Sequence, residues 1–274
     1  MNSRLVLALA LMLLILPMHA ALLVNGSFEE ATNGATLGYD QLFPGSTNIP
    51  GWTTTNAELT WDGPELGVSP PLSAAQGNDF LDLTGIHDAP PYGAVFQTLT
   101  TVIGLQYQVS FEVGSDKYYD GYYTSGTFVA PSVAVSLNGS VVFSATNNFP
   151  SFTNYWQTWS FSFTASATET ILMFTGTTAS RVAYIGLDNV IVTGGSLVIV
   201  LSSPSVAPGQ ARIPFTLPNS NGAAFTYELL QSAKVNGPWA TNHGAVLTTN
   251  VPNFSYAFTV PAVGAEEFYR VQSP

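Results

Sequence analysis

The chain has no cysteine, so no disulfide bridge can stabilise it. Small exported domains commonly rely on such bridges, and here stability must come from core packing, with or without a bound ion. Histidine is also scarce, with three in the whole chain, and only His87 and His243 lie beyond residue 20. There is no Gly-x-Ser-x-Gly motif either. Serine–histidine, cysteine–histidine and zinc chemistry therefore lack their usual residues.

Charge is scarce as well, and what there is has one sign. Charged residues make up 8% of the chain, with 6 Lys and Arg against 17 Asp and Glu, for a net charge of −11. Such a surface repels phosphate backbones and anionic headgroups, which excludes nucleic acid as a partner. The glycines stand singly in turns rather than opening a helix, so no nucleotide-binding loop is present.

The first twenty residues have the pattern of a secretory signal peptide. Arg4 precedes an apolar run over residues 5–17, and small residues follow at Ala20 and Ala21,. A membrane anchor is the alternative, but the run is shorter than the roughly 20 residues that a bilayer needs. We expect cleavage after Ala20, a secreted extracellular or periplasmic product, and no membrane span in the mature chain.

Beyond that segment the hydrophobic pattern has the period of a strand. No window repeats apolar residues at helical spacing, whereas several alternate apolar and polar positions. Two such stretches have core faces at positions 107, 109, 111 and 113 and at positions 159, 161, 163 and 165. Asn138-Gly139 between two apolar runs predicts a tight hairpin. Short strands separated by Gly, Pro and Asn turns indicate an all-β sandwich or jelly roll.

A glycine pair marks the expected domain boundary. Gly194-Gly195-Ser196 ends one apolar run, and a new set of strands begins at Leu197. We predict a jelly-roll domain over residues 21–194. Residues 195–274 hold about six candidate strands, enough for a small immunoglobulin-like sandwich.

Short motifs in a fixed order give the first domain a family resemblance. They include Asn25-Gly26-Ser27-Phe28-Glu29, Ile49-Pro50-Gly51-Trp52, Leu81-Asp82-Leu83, Phe96-Gln97-Thr98-Leu99 and Gly186-Leu187-Asp188-Asn189-Val190. Together they resemble the galactose-binding-like jelly-roll family known as domain of unknown function 642 and its secreted bacterial choice-of-anchor relatives. The first and last motifs are also similar to the ends of calcium-containing carbohydrate-binding modules. The resemblance implies an extracellular, carbohydrate-facing module of bacterial or cell-wall context, not a reaction.

Two carboxylates are candidate calcium ligands. Asp188 interrupts an apolar run, and a buried carboxylate is costly unless it is hydrogen-bonded or bound to a metal. If the first and last strands are neighbours, Glu29 would lie close to it, and the related modules hold a structural Ca²⁺ there. The alternative is that Asp188 only accepts backbone N–H groups while Glu29 faces solvent.

A tyrosine-rich segment is the first candidate for ligand contact. Aromatic rings stack on sugar faces and carboxylates accept hydroxyl hydrogens, and this segment combines Tyr118, Tyr119, Tyr122 and Tyr123 with Asp116 and Asp120. It belongs to residues 115–131, which are richer in tyrosine than the family pattern. The alternative is a loop whose rings pack on the sandwich or contact a partner protein.

Other candidates lie on strands. Trp156 has the opposite parity to Trp159 and should point outward, either as a stacking platform or packed under a loop. Glu112 lies on a polar strand face that could line a groove or only contact solvent. Trp52 is expected in the core, and Trp61 could be either a core or a contact residue.

Three functions stay open at this point. A non-catalytic carbohydrate-binding module is favoured over a structural or adhesive extracellular protein without a sugar ligand. A glycan-active hydrolase is the third possibility, but no predicted strand carries the alternating carboxylates that glycosidases often use.

Overall fold

In a computed structural model, the protein is built almost entirely of antiparallel strands. The structure describes residues 22–31, 38–63, 72–115, 129–148, 155–178, 181–182, 184–195, 199–217, 226–250, 255–261 and 267–273. Within these ranges the helical content is one 3₁₀ turn, Gly85–His87. No helix in the described ranges is long and apolar enough to span a bilayer.

Two sheets form the first sandwich. In spatial order, the six-stranded sheet consists of β1 (Tyr39–Leu42), β3 (Leu59–Asp62), β4 (Phe80–Asp82), β11 (Gly186–Gly194), β6 (Gln106–Gly114) and β9 (Trp156–Thr164). The five-stranded sheet consists of β2 (Thr53–Thr55), β5 (Ala94–Thr100), β10 (Glu169–Gly176), β7 (Ser132–Leu137) and β8 (Ser140–Thr146).

The predicted alternation of apolar and polar residues determines which face of each strand is turned toward the core. In β6, Tyr107, Val109, Phe111 and Val113 are buried against the other sheet, and β9 pairs with β6 so that Trp159 lies opposite Phe111. The core also contains the rings of Phe28, Trp52, Trp61 and Phe174. Trp52 is thus confirmed as a core residue, and Trp61 belongs to the core as well.

The hairpin between β7 and β8 follows the turn prediction. Asn138 has φ 49° and Gly139 has φ 83°, and two successive positive φ values are what a type I′ turn requires. The turn is fixed further because the Asn138 side chain accepts a hydrogen bond from the Ile171 amide at 2.8 Å.

A second pair of sheets follows. One contains β12 (Val200–Leu201), β14 (Gln210–Thr216), β18 (Ser255–Pro261) and β17 (Val246–Asn250), with β13 (Ser205–Ala207) also paired to β14. The other contains β16 (Ala240–Thr241), β15 (Glu228–Ser232) and β19 (Phe268–Gln272). This strand order matches the two sheets of an immunoglobulin-like sandwich.

The predicted fold class is confirmed: a jelly-roll β-sandwich is followed by a small immunoglobulin-like one. Within the described residues, β1–β11 pair only with one another, and so do β12–β19. The division into folding domains at residues 194–195 stays a prediction.

Candidate ligand-binding face

The outer face of the six-stranded sheet, turned away from the five-stranded sheet, carries an exposed row of polar side chains. Four cross-strand pairs on β6 and β9 form this row: Gln106 with Thr164, Gln108 with Ser162, Ser110 with Ser160, and Glu112 with Thr158. We call these eight residues the polar ladder. Seven of its members are uncharged, and its positions are half-buried or exposed. It therefore offers hydroxyl and amide groups to solvent along two neighbouring strands.

Trp156 continues this face next to the polar ladder, as its parity predicts. The ring lies over two glycines, since a Cβ added to Gly114 or Gly186 would come within 2.7 to 2.8 Å of it. It also makes an edge contact with Phe80 at a centroid distance of 5.5 Å. Its Nε1 donates to the Ser73 carbonyl at 2.8 Å. The half-buried ring therefore supports the segment at residues 72–79. Of the two roles expected for Trp156, this is packing under a loop.

Glu112 lies where the exposed half of this face meets its buried half. It pairs across the sheet with Asp188 on β11 and accepts a long hydrogen bond from Thr158 at 3.4 Å. Asp188 is fully buried. Burial raises the pKa of Asp188 to about 7, and the neighbouring Glu112 charge adds to that rise.

Asp188 is satisfied by backbone donors. Its Oδ2 accepts the amides of Ala75 and Gln76 at 2.8 and 2.9 Å, and its Oδ1 accepts the Asn189 amide at 2.6 Å. The Asp188 carboxylate thus joins β11 to the 72–79 segment. This is the alternative reading of Asp188, as an acceptor of backbone N–H groups.

Glu29 holds the same segment further along. Its Oε1 accepts the amides of Asn78 and Asp79, both at 2.8 Å. Gly77, between the two anchored stretches, has φ 73°, and a Cβ there would come within 2.3 Å of the Glu29 carboxylate. Glu29 is therefore engaged with the chain rather than turned only to solvent.

The metal prediction stays a prediction. Glu29 and Asp188 do contact one segment from two sides, but within the described ranges no three Asp, Glu, His or Cys side chains cluster as a metal would require. Calcium takes six to eight oxygens, so backbone carbonyls or further side chains would have to supply most of them.

The motif around Asn25 explains how Glu29 is positioned. Asn25 exchanges two hydrogen bonds with the backbone of Glu30, at 2.9 and 3.0 Å. Gly26 accepts from the Val190 amide at 2.8 Å, and a Cβ at Gly26 would lie 1.9 Å from the Val190 oxygen. Only glycine permits this approach. The first and last motifs are therefore neighbours, as the resemblance implied.

A second acidic pair on the same sheet face was missed by sequence reasoning. Thr60 lies opposite Asp82, and Asp62 lies opposite Phe80, so the two acids are diagonal neighbours on β3 and β4. Both are buried. Sequence reasoning looked for acids alternating along one strand, and this pair is created only by the register of two strands.

The two acids differ in their partners. Asp82 accepts the Thr84 and Ile185 amides at 2.9 and 3.0 Å, together with the Thr84 hydroxyl. Asp62 bonds to the Thr60 side chain, but its Oδ1 has no partner among the described atoms. Burial raises the pKa of Asp62 to about 7. The pKa of Asp82 is also raised, by burial first and then by the Asp62 charge.

The tyrosine-rich candidates lie outside the described residues. This applies to Tyr118, Tyr119, Tyr122, Tyr123, Asp116 and Asp120. Their segment begins just after β6, at the end of that strand where Glu112 lies. Their role as ligand contacts stays a prediction.

The sequence matches the family described as "Protein of unknown function (DUF642)" over residues 21–193. The chain belongs to this family. No curated protein matches it. The match covers the first sandwich up to the residue before the end of β11, so the resemblance seen in the sequence is confirmed at the level of the family.

Solved structures resemble this DUF642 chain only distantly. A Stig cyclase from Fischerella sp. TAU has 14% identity and a TM-score of 0.45, with 68% of this chain and 99% of that chain covered. A family 35 carbohydrate-binding module from Clostridium thermocellum has 12% identity and a TM-score of 0.34, covering 56% and 97%. TmCBM61 in complex with beta-1,4-galactotriose has 12% identity and a TM-score of 0.35, covering 64% and 99%. Likeness at this level carries no argument about ligand or reaction.

Proposed function

We propose that this protein is a secreted, non-catalytic carbohydrate-binding module whose ligand lies on the polar ladder. The observation that carries the proposal is the ladder itself: an exposed, largely uncharged strip of hydroxyls and amides on a chain with net charge −11. Neutral hydroxyl-rich ligands exchange hydrogen bonds with such groups and suffer no charge repulsion.

Glu112 supplies the stronger contact in this arrangement. A carboxylate that accepts a sugar hydroxyl makes a charge-assisted hydrogen bond. The tyrosine-rich segment, which follows β6 in the sequence, would add ring faces to the ligand contacts. Trp156 would support the 72–79 segment. The signal peptide over residues 1–20 would bring the module outside the cell.

The direct test is a glycan array followed by titration of the best-bound oligosaccharide. We expect Glu112→Gln to weaken binding about tenfold or more, because hydrogen bonds to charged groups contribute about 1.5 to 3 kcal/mol. Glu169→Gln is the matched control, an exposed acid on β10 of the other sheet. Equal losses in both variants, with intact folds, would place the site elsewhere.

The tyrosine-rich segment has its own test. Replacing Tyr118, Tyr119, Tyr122 and Tyr123 together by alanine should weaken glycan binding if the rings stack on sugar. Unchanged affinity with an unchanged melting temperature would leave the polar ladder as the whole site. Release of a shorter glycan by the wild-type protein would instead identify a hydrolase.

Structural calcium belongs to the same proposal. Glu29 Oε2 accepts no hydrogen bond from the described residues, so it could coordinate a cation held together with Asp188 and carbonyls of the 72–79 segment. A chelator should then lower the melting temperature of the wild type but not that of Glu29→Gln. An unchanged midpoint in chelator would leave backbone N–H binding as the only role of these carboxylates.

One observation favours an adhesive role as the second candidate. β8 pairs only with β7 within the described residues, and its Val141 and Val142 side chains are 66% and 48% exposed. Uncharged apolar edge strands can add a strand from another chain. The adhesive role would be favoured if the protein bound no glycan on the array and self-associated in a way that Val141→Lys abolishes.

A further inference from the structure

A cavity lies where the first segment, residues 22–27, meets β11 beside the polar ladder. Its volume is about 370 Å³, at the lower end of the range for small-ligand sites, about 300 to 1,000 Å³,. Ile191 lines it and pairs with Ser110 of the ladder. A glycan lying on the ladder could therefore place one residue or substituent in this cavity.

A bulge in β11 opens the cavity. The register between β11 and β6 shifts between Asp188 and Ile191, and Asn189 within the shift has φ 49°. The close approach of Gly26 to Val190 builds the opposite wall. Because both walls are set by backbone hydrogen bonds, the cavity is part of the framework.

The lining combines aliphatic groups with amides. Leu22, Leu23 and Ile191 supply aliphatic surface, and Ser27, Gln76 and Asn189 supply polar side chains. The hydroxyl of Ser27 and both side-chain amides make no hydrogen bond within the described part of the chain. No lining residue is charged or aromatic. Three neutral polar groups in a largely aliphatic cavity thus have no hydrogen-bond partner among the described residues.

This lining selects among sugar substituents. Without an aromatic ring, the cavity offers no stacking surface for a plain hexose face. A uronic acid would find no basic partner in the lining, and a protonated amino sugar would find no carboxylate there,. An acetamido group supplies a methyl for the aliphatic wall and an N–H and C=O for the two amides.

We propose that this cavity receives the acetamido group of an N-acetylated sugar residue. The inference rests on the proposed carbohydrate function and narrows it to neutral glycans that carry N-acetyl groups. Gln76 and Asn189 exchange hydrogen bonds with the acetamido dipole, and Ile191 contacts its methyl.

The experiment compares two oligosaccharides that share a β-1,4 backbone: chitopentaose, with acetamido groups, and cellopentaose, with hydroxyls. We expect the wild type to bind chitopentaose at least tenfold more tightly. Ile191→Trp, which fills the cavity, should remove that preference. Ile171→Trp is the control, because Ile171 is similarly exposed, at 41% against 46%, on β10 of the other sheet.

The outcomes separate the two proposals. Equal affinity for both oligosaccharides, or tighter binding of a glycan whose only methyls are 6-deoxy groups, overturns the acetamido site and leaves sugar binding intact. Binding of no glycan by the wild type overturns both. If Ile191→Trp does not fold, Gln76→Ala replaces it, because that side chain is exposed and hydrogen-bonds to no described residue. A preference unchanged in Gln76→Ala also contradicts the site.

Discussion

The outer face of the six-stranded sheet is buried over one half of its strands and exposed over the other half. Over β3, β4 and the start of β11, the outer face is buried and carries Asp62, Asp82 and Asp188. Over β6 and β9, it is open and almost uncharged. In the buried half, Asp82 and Asp188 accept backbone amides, and Asp62 bonds to the Thr60 side chain. In the open half, short hydroxyl and amide side chains face solvent.

The largest expected effect comes from breaking the buried half. Asp82→Ala leaves the Thr84 and Ile185 amides without their acceptor, and each unsatisfied buried group costs about 1 to 3 kcal/mol,. We expect a loss of about 3 to 5 kcal/mol, measured by urea unfolding. Asp40→Ala on β1, at the edge of the same sheet, is the comparison, and an equal loss there would contradict the special role of Asp82.

A pH titration sharpens the same contrast. The pKa of Asp62 and that of Asp188 are raised in the fold from 3.8 to about 7, so the folded state binds these protons more tightly than the unfolded chain. Stability is then highest near pH 4 and falls as the pH rises toward 7. One such group contributes at most about 3 kcal/mol over this range, so we expect the free energy of unfolding to fall by a few kcal/mol between about pH 4.5 and 8.

The asparagine variants are the control for that titration. Asp62→Asn and Asp188→Asn remove two of the carboxyls whose pKa is raised, so the double variant should show a flatter dependence of its urea midpoint on pH. A urea midpoint that rises with pH in the wild type would contradict the raised pKa values of these two carboxyls.

The border between the two halves should be sensitive to added volume. Gly186→Ala places a methyl against the Trp156 ring, at 2.8 Å before relaxation. Overpacking of this kind costs about 1 to 3 kcal/mol. We expect a loss in that range by thermal unfolding, with Trp156→Phe in the Gly186→Ala background recovering part of it.

The smallest effect on stability is expected in the open half. Ser160→Ala removes an exposed hydroxyl from the polar ladder and should change the free energy of unfolding by less than about 0.5 kcal/mol. A larger loss would show that the ladder has a structural role. The measurement is urea unfolding of the variant beside the wild type.

Sequence patterns predicted the strands well because alternation is local. The core faces of β6 and β9, the Asn138-Gly139 hairpin and the outward parity of Trp156 each depend on residues within one or two strands. For Asp188, the sequence left two alternatives open, a metal ion or backbone N–H groups. A carboxylate in an apolar run needs partners, but the residues of that run do not show which partners it has. The jelly-roll interpretation expected Glu29 near Asp188 if the first and last strands are neighbours, but the contact of Gly26 with Val190, and the 1.9 Å reason for glycine there, are visible only in the fold.

Long-range register explains what was missed. Asp62 and Asp82 lie twenty residues apart and meet only through the pairing of β3 with β4. Gln97 was part of a motif, yet its role, bonding both backbone groups of Val24 at 2.7 and 2.9 Å, requires strand β5 to lie beside the first segment. The cavity next to Asn189 depends on a bulge, which no spacing in the sequence signals.

The measurement that tests the central claim most directly blocks the open half without touching the buried one. Ser160→Glu places bulk and negative charge at the centre of the polar ladder. Ser144→Glu makes the same change on β8 of the other sheet, where the side chain is also exposed. Titration with the glycan that the wild type binds best should show at least a tenfold loss for Ser160→Glu and none for Ser144→Glu. Equal affinities for the two variants would contradict a ligand site on this face.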